Sequence, residues 1–197
     1  GLKLLLKEDI MPAWVDRPVY WIAPLAVFVP SFAVWVVMPF SSDLVLRDMD
    51  LGLLYVLAMS VLSIIGLIMA GWGSANKYGI IGGLRSAAQL ISYEIPLIVI
   101  AITIAMLAGS LNLTAIATGQ GSTWYLLFQP LALVIFLLAG LAEVGRSPFD
   151  IFQAESELVG GPFIEYSGAH WSIFFLAEYM NTFLVAALIT IFFLGGW

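Results

Sequence analysis

The sequence predicts an all-α integral membrane protein, with about five transmembrane helices and a short interfacial helix. Three observations lead there. Of 197 residues, 62% are hydrophobic and 10% charged, with a mean hydropathy of +1.04, which leaves too few polar residues to cover a water-soluble core. Five apolar stretches reach the ~20 residues that a bilayer crossing needs. Aromatic residues stand near the ends of those stretches, at Tyr20, Trp21, Trp72, Trp124, Tyr125, Trp171 and Trp197, as expected of an interfacial belt.

The whole chain, 1–197, reads as a single membrane domain. Residues 1–18 form an interfacial segment, in which Leu2, Leu5, Leu6 and Ile10 of GLKLLLKEDI share one helical face while Lys3, Lys7 and Glu8 lie elsewhere. Such a helix is either a plain juxtamembrane anchor or a gate for an amphiphilic ligand arriving from lipid. Residues 19–142 hold four transmembrane helices, at 19–40, 51–71, 90–109 and 124–142. The first contains Pro24 and Pro30 and is expected to kink. Residues 143–169 are an acidic loop, and 170–197 carry the fifth span, at 171–194. The sequence starts at Gly1 rather than Met and closes on GGW, which gives the expectation of a fragment. No pair of Gly/Pro-broken helices repeats between two halves, as it does in many transporters.

Charge sets the orientation. One set of connecting segments carries Lys3, Lys7, Arg17, Lys77, Arg85 and Arg146, whereas the opposite set carries Arg47 alone. Six against one predicts that residues 1–18, 72–89 and 143–169 face the cytoplasm or its equivalent. The net charge of −6 argues against nucleic acid, which needs clustered Lys and Arg. The chain has no cysteine and one histidine, His170. Disulfides, thiolate zinc sites and iron–sulfur clusters held by this chain are thereby excluded, and a redox centre would belong to a partner.

The segment 141–168, LAEVGRSPFDIFQAESELVGGPFIEYSG, is the most unusual part of the sequence. It lies between two apolar runs yet holds Glu143, Asp150, Glu155, Glu157, Glu165 and the single base Arg146. Anionic head groups would repel it, and burial without partners would be costly, so it is expected to fold back onto protein. Glu143 and Arg146 have the spacing of an i,i+3 ion pair. Arg146 stays charged and can bind a carbonyl, a phosphate or Asp150. Ser147-Pro148 reads as a helix restart, Phe149 adds an aromatic face, and 153–158 reads as a short helix ended by Gly160-Gly161-Pro162. Two further acids lie inside spans, where an ionisable group is a functional candidate by default. Glu94, in SYE, either carries protons or pairs structurally with Arg85 or Lys77. Glu178 shares a helix face with Asn181 and serves either as a proton relay or as helix–helix glue. His170, at the start of the last span, receives no role. A string of carboxylates without a metal-ligand set fits proton conduction better than metal catalysis, although a loop charge run is often only solvated.

Four phrases occur in order: LLLKEDIMP, GWGSANKYGIIGGLRSAAQLISYEIPL, AEVGRSPFDIFQAESELVGGPFIEYSG and FFLAEYMN. Together they resemble the family of the quinone-site membrane subunit of respiratory complex I, which is the H subunit of bacterial NADH:quinone oxidoreductase and subunit 1 in mitochondria. The resemblance implies a fragment of a roughly eight-helix fold, lacking one helix before and two after. It implies a proton path through Glu94, Glu143, Asp150, Glu155, Glu157, Glu165 and Glu178, and a quinone chamber touching Arg146, Phe149, Asp150 and Lys3. Quinone, ubiquinone or menaquinone, would be the substrate, with iron–sulfur clusters, flavin and NADH on partner subunits. The implied partners are peripheral-arm iron–sulfur and quinone-site subunits, small membrane subunits, antiporter-like subunits and the bilayer of a bacterial or archaeal cell membrane, or an organellar inner membrane. Related ion pumps, namely membrane-bound hydrogenases and deazaflavin- or ferredoxin-linked complexes, share such a subunit and form the alternative. A stand-alone secondary transporter is the remaining reading.

Overall fold

Proline, asparagine and glycine set the helix ends. The computed structural model describes residues 2–42, 44–121, 123–151 and 155–196, with the side chains of Leu2, Leu5, Glu155 and Ser156 outside that description. After α1 (Leu2–Leu5), Pro18 stands in the first turn of α2 (Arg17–Ala33), where its missing N–H costs nothing. α2 runs through Pro24 and Pro30 and passes into a 3-10 turn at Val34–Val36. α3 (Gly52–Gly73) follows. Asn76 then caps α4 (Lys77–Ala108), its side chain accepting from the Tyr78 N–H at 2.9 Å. Gly109, at φ +70°, closes α4 in the left-handed region. Asn112 caps the short α5 (Leu113–Thr118). α6 (Tyr125–Phe128), α7 (Pro130–Val144), α8 (Glu155–Leu158) and α9 (Gly168–Phe193) complete the chain. Among the described residues the regular structure is entirely helical.

Four of these helices are long and apolar enough to cross a membrane: α2 with its 3-10 extension, α3, α4 and α9. The expected span at 124–142 is broken instead. Pro130 cannot donate a backbone hydrogen bond and restricts the residue before it. Gln129 accordingly leaves the helical region (φ −134°, ψ 54°), separating α6 from a 15-residue α7 of about 22 Å, short of the ~30 Å hydrocarbon core. The segment 72–89, expected as a connection, is mostly helical. α3 and α4 are joined by a turn of a few residues, and the 32-residue α4 is about 48 Å long. Lys77 and Arg85 therefore ride on helix, not loop. Ser147-Pro148 does not restart a helix: residues 146–149 form a turn closed by the Phe149 N–H on Arg146 O at 2.8 Å. Of the helix expected at 153–158, Gln153 lies outside the described residues and α8 begins at Glu155. The interfacial helix is shorter than expected, because Asp9 and Ile10 leave it to bond α9.

Small residues let the helices approach. A Cβ on Gly66 of α3 would stand 2.6 Å from Val27 Cγ2 and 2.7 Å from the Val27 backbone N of α2. One on Gly82 of α4 would meet the Gly161–Pro162 backbone at 2.6–2.7 Å. Such spacing suits membrane helices, whose association relies on close packing. Two large apolar cores result, with a small cluster of Ile64, Ala87 and Leu90 between α3 and α4. One gathers Val34, Met38, Leu53, Val56, Ile104, Phe136, Phe192 and Phe193. The other gathers Tyr20, Val27, Ala70, Tyr166, Phe174 and Ala177. On α3, α4, α7 and α9 the buried polar residues fall at or beyond the edges of these clusters, so a polar layer separates them.

Gly66→Ala should force α2 and α3 apart and cost about 1–3 kcal/mol of stability, seen as a lower midpoint in heat denaturation of the detergent-solubilised protein. Gly52→Ala, whose Cβ would find ordinary contact at 3.6 Å, should leave the midpoint unchanged.

Candidate functional site

The polar layer is built by five helices, α2 contributing Ser31. Glu94 of α4 is 7% exposed, and its Oε1 lies 2.9 Å from Ser60 Oγ of α3. The same hydroxyl lies 2.8 Å from Leu57 O. A serine has one proton and two lone pairs. It can donate to a Glu94 carboxylate, or it can serve Leu57 O and accept from a protonated Glu94. Both protonation states of Glu94 therefore find a partner without a rearrangement of the helix. Glu143, in the last turn of α7, has Oε2 enclosed and without a hydrogen-bond partner among the described residues. A buried acceptor left in that condition is costly, and a water molecule or a proton would relieve it.

Three cavities run in succession through this layer. The first, of about 60 Å³, is lined by Ser31, Ser60, Ser63, Glu94, Glu143 and Asn181 among aliphatic side chains. The second, of about 50 Å³, shares Ser63, Glu143 and Asn181 with the first and adds Glu178. The third, of about 210 Å³, shares Phe163, Phe174 and Glu178 with the second and adds Arg146, Trp171 and Phe175. A single water needs ~10–15 Å³ and two to four polar partners; both smaller cavities have that room, and the few polar groups of the first stand on a mainly apolar wall. Glu143 stands between the first and second cavities, and Glu178 between the second and third.

The third cavity differs in character. Arg146 Nη2 lies 3.1 Å from Glu178 Oε1, and its guanidinium carbon lies 5.0 Å from the centre of the Tyr179 ring. The pairing expected between Glu143 and Arg146 does not form. Gly145, at φ +69°, ends α7, so Arg146 no longer follows the helical path that an i,i+3 pair requires, and it reaches across to α9 instead. Aromatic rings and one cation on a half-open wall suit a planar, carbonyl-bearing ligand.

The structure thus brings Glu94, Glu143, Glu178 and Arg146 together. The remaining candidates whose side chains are described line none of the three cavities. Glu157 is exposed and pairs with Arg85 Nη1 at 2.6 Å. Glu165 Oε1 accepts from Asn76 Nδ2 at 2.6 Å, which ties it to the cap of α4. Arg85 therefore serves Glu157 rather than Glu94. Asp150 is exposed and Phe149 half-buried, and Lys3 is exposed on α1. The Glu155 side chain lies outside the described residues. His170, given no role from the sequence, has Nδ1 2.6 Å from Asp9 Oδ2, and Ser167 Oγ accepts the Ile10 N–H at 2.9 Å. Together they fasten the N-terminal segment to the start of α9. Sequence reasoning also passed over Ser60, Ser63 and Gln89. The signal was present: two serines three residues apart in an apolar span, and one glutamine in SAAQLIS, are polar groups that must find partners at membrane depth.

Comparison with known proteins adds a family. A family model described as NADH dehydrogenase matches residues 1–197. The chain is 53% identical over 196 residues to proteins named as the H subunit of NADH-quinone oxidoreductase in Geobacillus kaustophilus and Geobacillus thermodenitrificans, and 50% identical to the protein of that name in Bacillus thuringiensis. In each case all of this chain is covered, and it spans 59% of the relative's length. The chain belongs to the NADH dehydrogenase family.

Arg146→Lys should keep the charge but lose the ring contact and the planar fork. In a double-mutant cycle of Arg146→Gln with Glu178→Gln, read by thermal denaturation, the coupling should be below about 1 kcal/mol, because both partners are part-exposed. A coupling of several kcal/mol would contradict this weak-pair reading.

Proposed function

We propose that this member of the NADH dehydrogenase family is part of the membrane subunit of a proton-pumping NADH–quinone oxidoreductase. In this reading it contributes a wall of the quinone chamber and passes protons through its buried acids. The observation that carries the reading is the succession of three cavities whose shared walls are Glu143 and Glu178, with Glu94 at one end and Arg146 at the other.

Quinone reduction takes two electrons and two protons. Electrons arrive from iron–sulfur clusters on partner subunits, which also carry flavin and NADH, since this chain offers no cysteine and one histidine. The third cavity receives the ring on the Arg146 side, where the guanidinium can donate to a quinone oxygen and Trp171, Phe174 and Phe175 supply flat apolar surface. A negative charge developing on the ring competes with Glu178 for Arg146. Glu178 then becomes a better proton acceptor, and the demand passes along the cavities to Glu143 and Glu94. Asp150, Glu157 and Glu165 stand at the basic end of the bundle, where the loop meets the peripheral-arm subunits and where protons would be collected. Lys3, on α1, lies near the way in from lipid, because the segment that follows it is fastened to α9. In this reading α6 and α7 together make the fourth crossing, so that residues 1–18, 72–89 and 143–169 lie on the cytoplasmic side of a bacterial or archaeal cell membrane, with small membrane and antiporter-like subunits as lateral partners.

Glu143→Gln, introduced into the intact complex, should leave assembly unchanged on native gels while quinone-linked NADH oxidation and proton uptake by inverted vesicles fall about tenfold or more. Asp150→Asn should lower both as well, by a smaller factor because its carboxyl is exposed. Normal pumping in both variants would sink the proposal.

A further inference from the structure

We propose that Gln89 is a positioning residue that fixes the place of the acidic turn 142–150 against α4, so that a movement of that turn is transmitted to Glu94. This rests on the proton-path reading above.

Gln89 lies on α4 and is 8% exposed. Its Nε2 donates to Ala142 O at 2.8 Å and to Phe149 O at 2.7 Å. These two carbonyls flank the turn that carries Glu143 and Arg146, and Asp150 follows directly. The orientation of the amide is dictated chemically: both partners are acceptors, so only the NH2 end can face them. Its Oε1 is left buried without a hydrogen-bond partner among the described residues. The side chain thus gives up one half of its hydrogen bonding to supply two donors at this place.

Arg146 ties the turn to α9 through Glu178, and the turn's backbone bonds are internal. Gly145 N–H on Ala142 O (3.2 Å), Arg146 N–H on Leu141 O (3.1 Å) and Phe149 N–H on Arg146 O (2.8 Å) hold its shape. They do not tie it to α4. Gln89 does so, at both of its ends. One helical turn further along α4, the Tyr93 ring meets the Phe149 ring edge-on, with centroids 5.6 Å apart, and the next residue is Glu94. Gln89, Tyr93 and Glu94 therefore stand in one stretch of rigid helix, with the first two gripping the turn and the third bonded to Ser60. A displacement of Phe149 has a direct mechanical route to the carboxyl that heads the first cavity.

The test uses the full-length protein in its complex. Residues 1–197 hold no cysteine, so Ile151→Cys, at a position 54% exposed, adds a thiol to this segment, and its labelling is read on this subunit against the parent protein that lacks the substitution. Adding Gln89→Met, which keeps the length but removes both donors, should raise the labelling rate by a polar maleimide several-fold. Protons taken up per electron delivered to a short-chain quinone should fall at least threefold. That ratio does not depend on how much enzyme assembles. Gln89→His, which retains one N–H donor, should lie between wild type and Gln89→Met in both readouts, and it serves if Gln89→Met fails to assemble. Unchanged labelling and an unchanged ratio overturn the proposal, and so does a loss of electron transfer and pumping in constant proportion, which is the mark of a merely structural residue. If Glu143→Gln and Asp150→Asn pump normally while Gln89→Met still raises labelling, the fixing of the turn stands and the proton path falls.

Discussion

Three carboxyl groups and one guanidinium have to be accommodated at or near membrane depth. Ionised side chains there are costly and must face protein or water. The bundle meets this by keeping Glu94, Glu143 and Glu178 on neighbouring inward faces, between an apolar core built around Phe136 and Phe192 and another around Tyr20 and Tyr166. Each helix carries its polar residues at that same level: Ser60 and Ser63 on α3, Glu94 on α4, Glu143 at the end of α7, Glu178 and Asn181 on α9. The cavities lie where polar groups interrupt the apolar packing, and the first reaches into the core around Phe136 and Phe192.

Gly145 decides what happens at the edge of the layer. Its left-handed backbone ends α7 directly after Glu143 and turns the chain away, so that Glu143 stays inside while Arg146 crosses to α9. Two further acids of the loop are held by partners along the basic end of the bundle. Glu157 is paired with Arg85, and Glu165 with the asparagine that caps α4. The electrostatic difficulty of an acidic loop beside a membrane is therefore met by individual partners on α4, not by deep burial of the loop. Short-range pairing of this kind also keeps the loop's charge from collapsing into the cavities, where an unpaired carboxylate would be far more costly.

Much of this was legible in the sequence, for definite reasons. The long apolar runs give α2, α3, α4 and α9 because hydropathy reports directly on burial in lipid. Intramembrane Glu94 and Glu178 stood out because such residues are rare. Three things were hidden. Pro130 sits near the start of an apolar run, where it reads equally well as a helix beginning or an interruption, and only the packing of α6 against α7 and α9 distinguishes them. The α4 helix begins before its apolar part because Asn76 provides a cap that a hydropathy window does not register. The Arg146–Glu178 pair joins residues 32 positions apart, whereas sequence spacing favoured the nearer Glu143. The left-handed Gly145 that defeats the nearer pairing is visible only as one glycine among 18.

Under the proposed proton path, Ser60 would let the layer hold a proton without rebuilding itself. A carboxylate bonded to a lysine or arginine is committed to its charged form. A carboxyl bonded to a serine that also reaches a backbone carbonyl is not, since the hydroxyl can rotate from donor to acceptor as the proton arrives. Glu143 differs again, with one oxygen enclosed and without a hydrogen-bond partner among the described residues. Glu178, against Arg146, is the member of the row held by a fixed cation. The row is therefore graded, from an acid beside a permanent charge, through an acid with an open valence, to an acid beside an adaptable hydroxyl. A change in what Arg146 faces alters the first of these most strongly and reaches the others only through the shared cavity walls. That gradation gives the row a direction, which an array of identical acids at the same depth would lack.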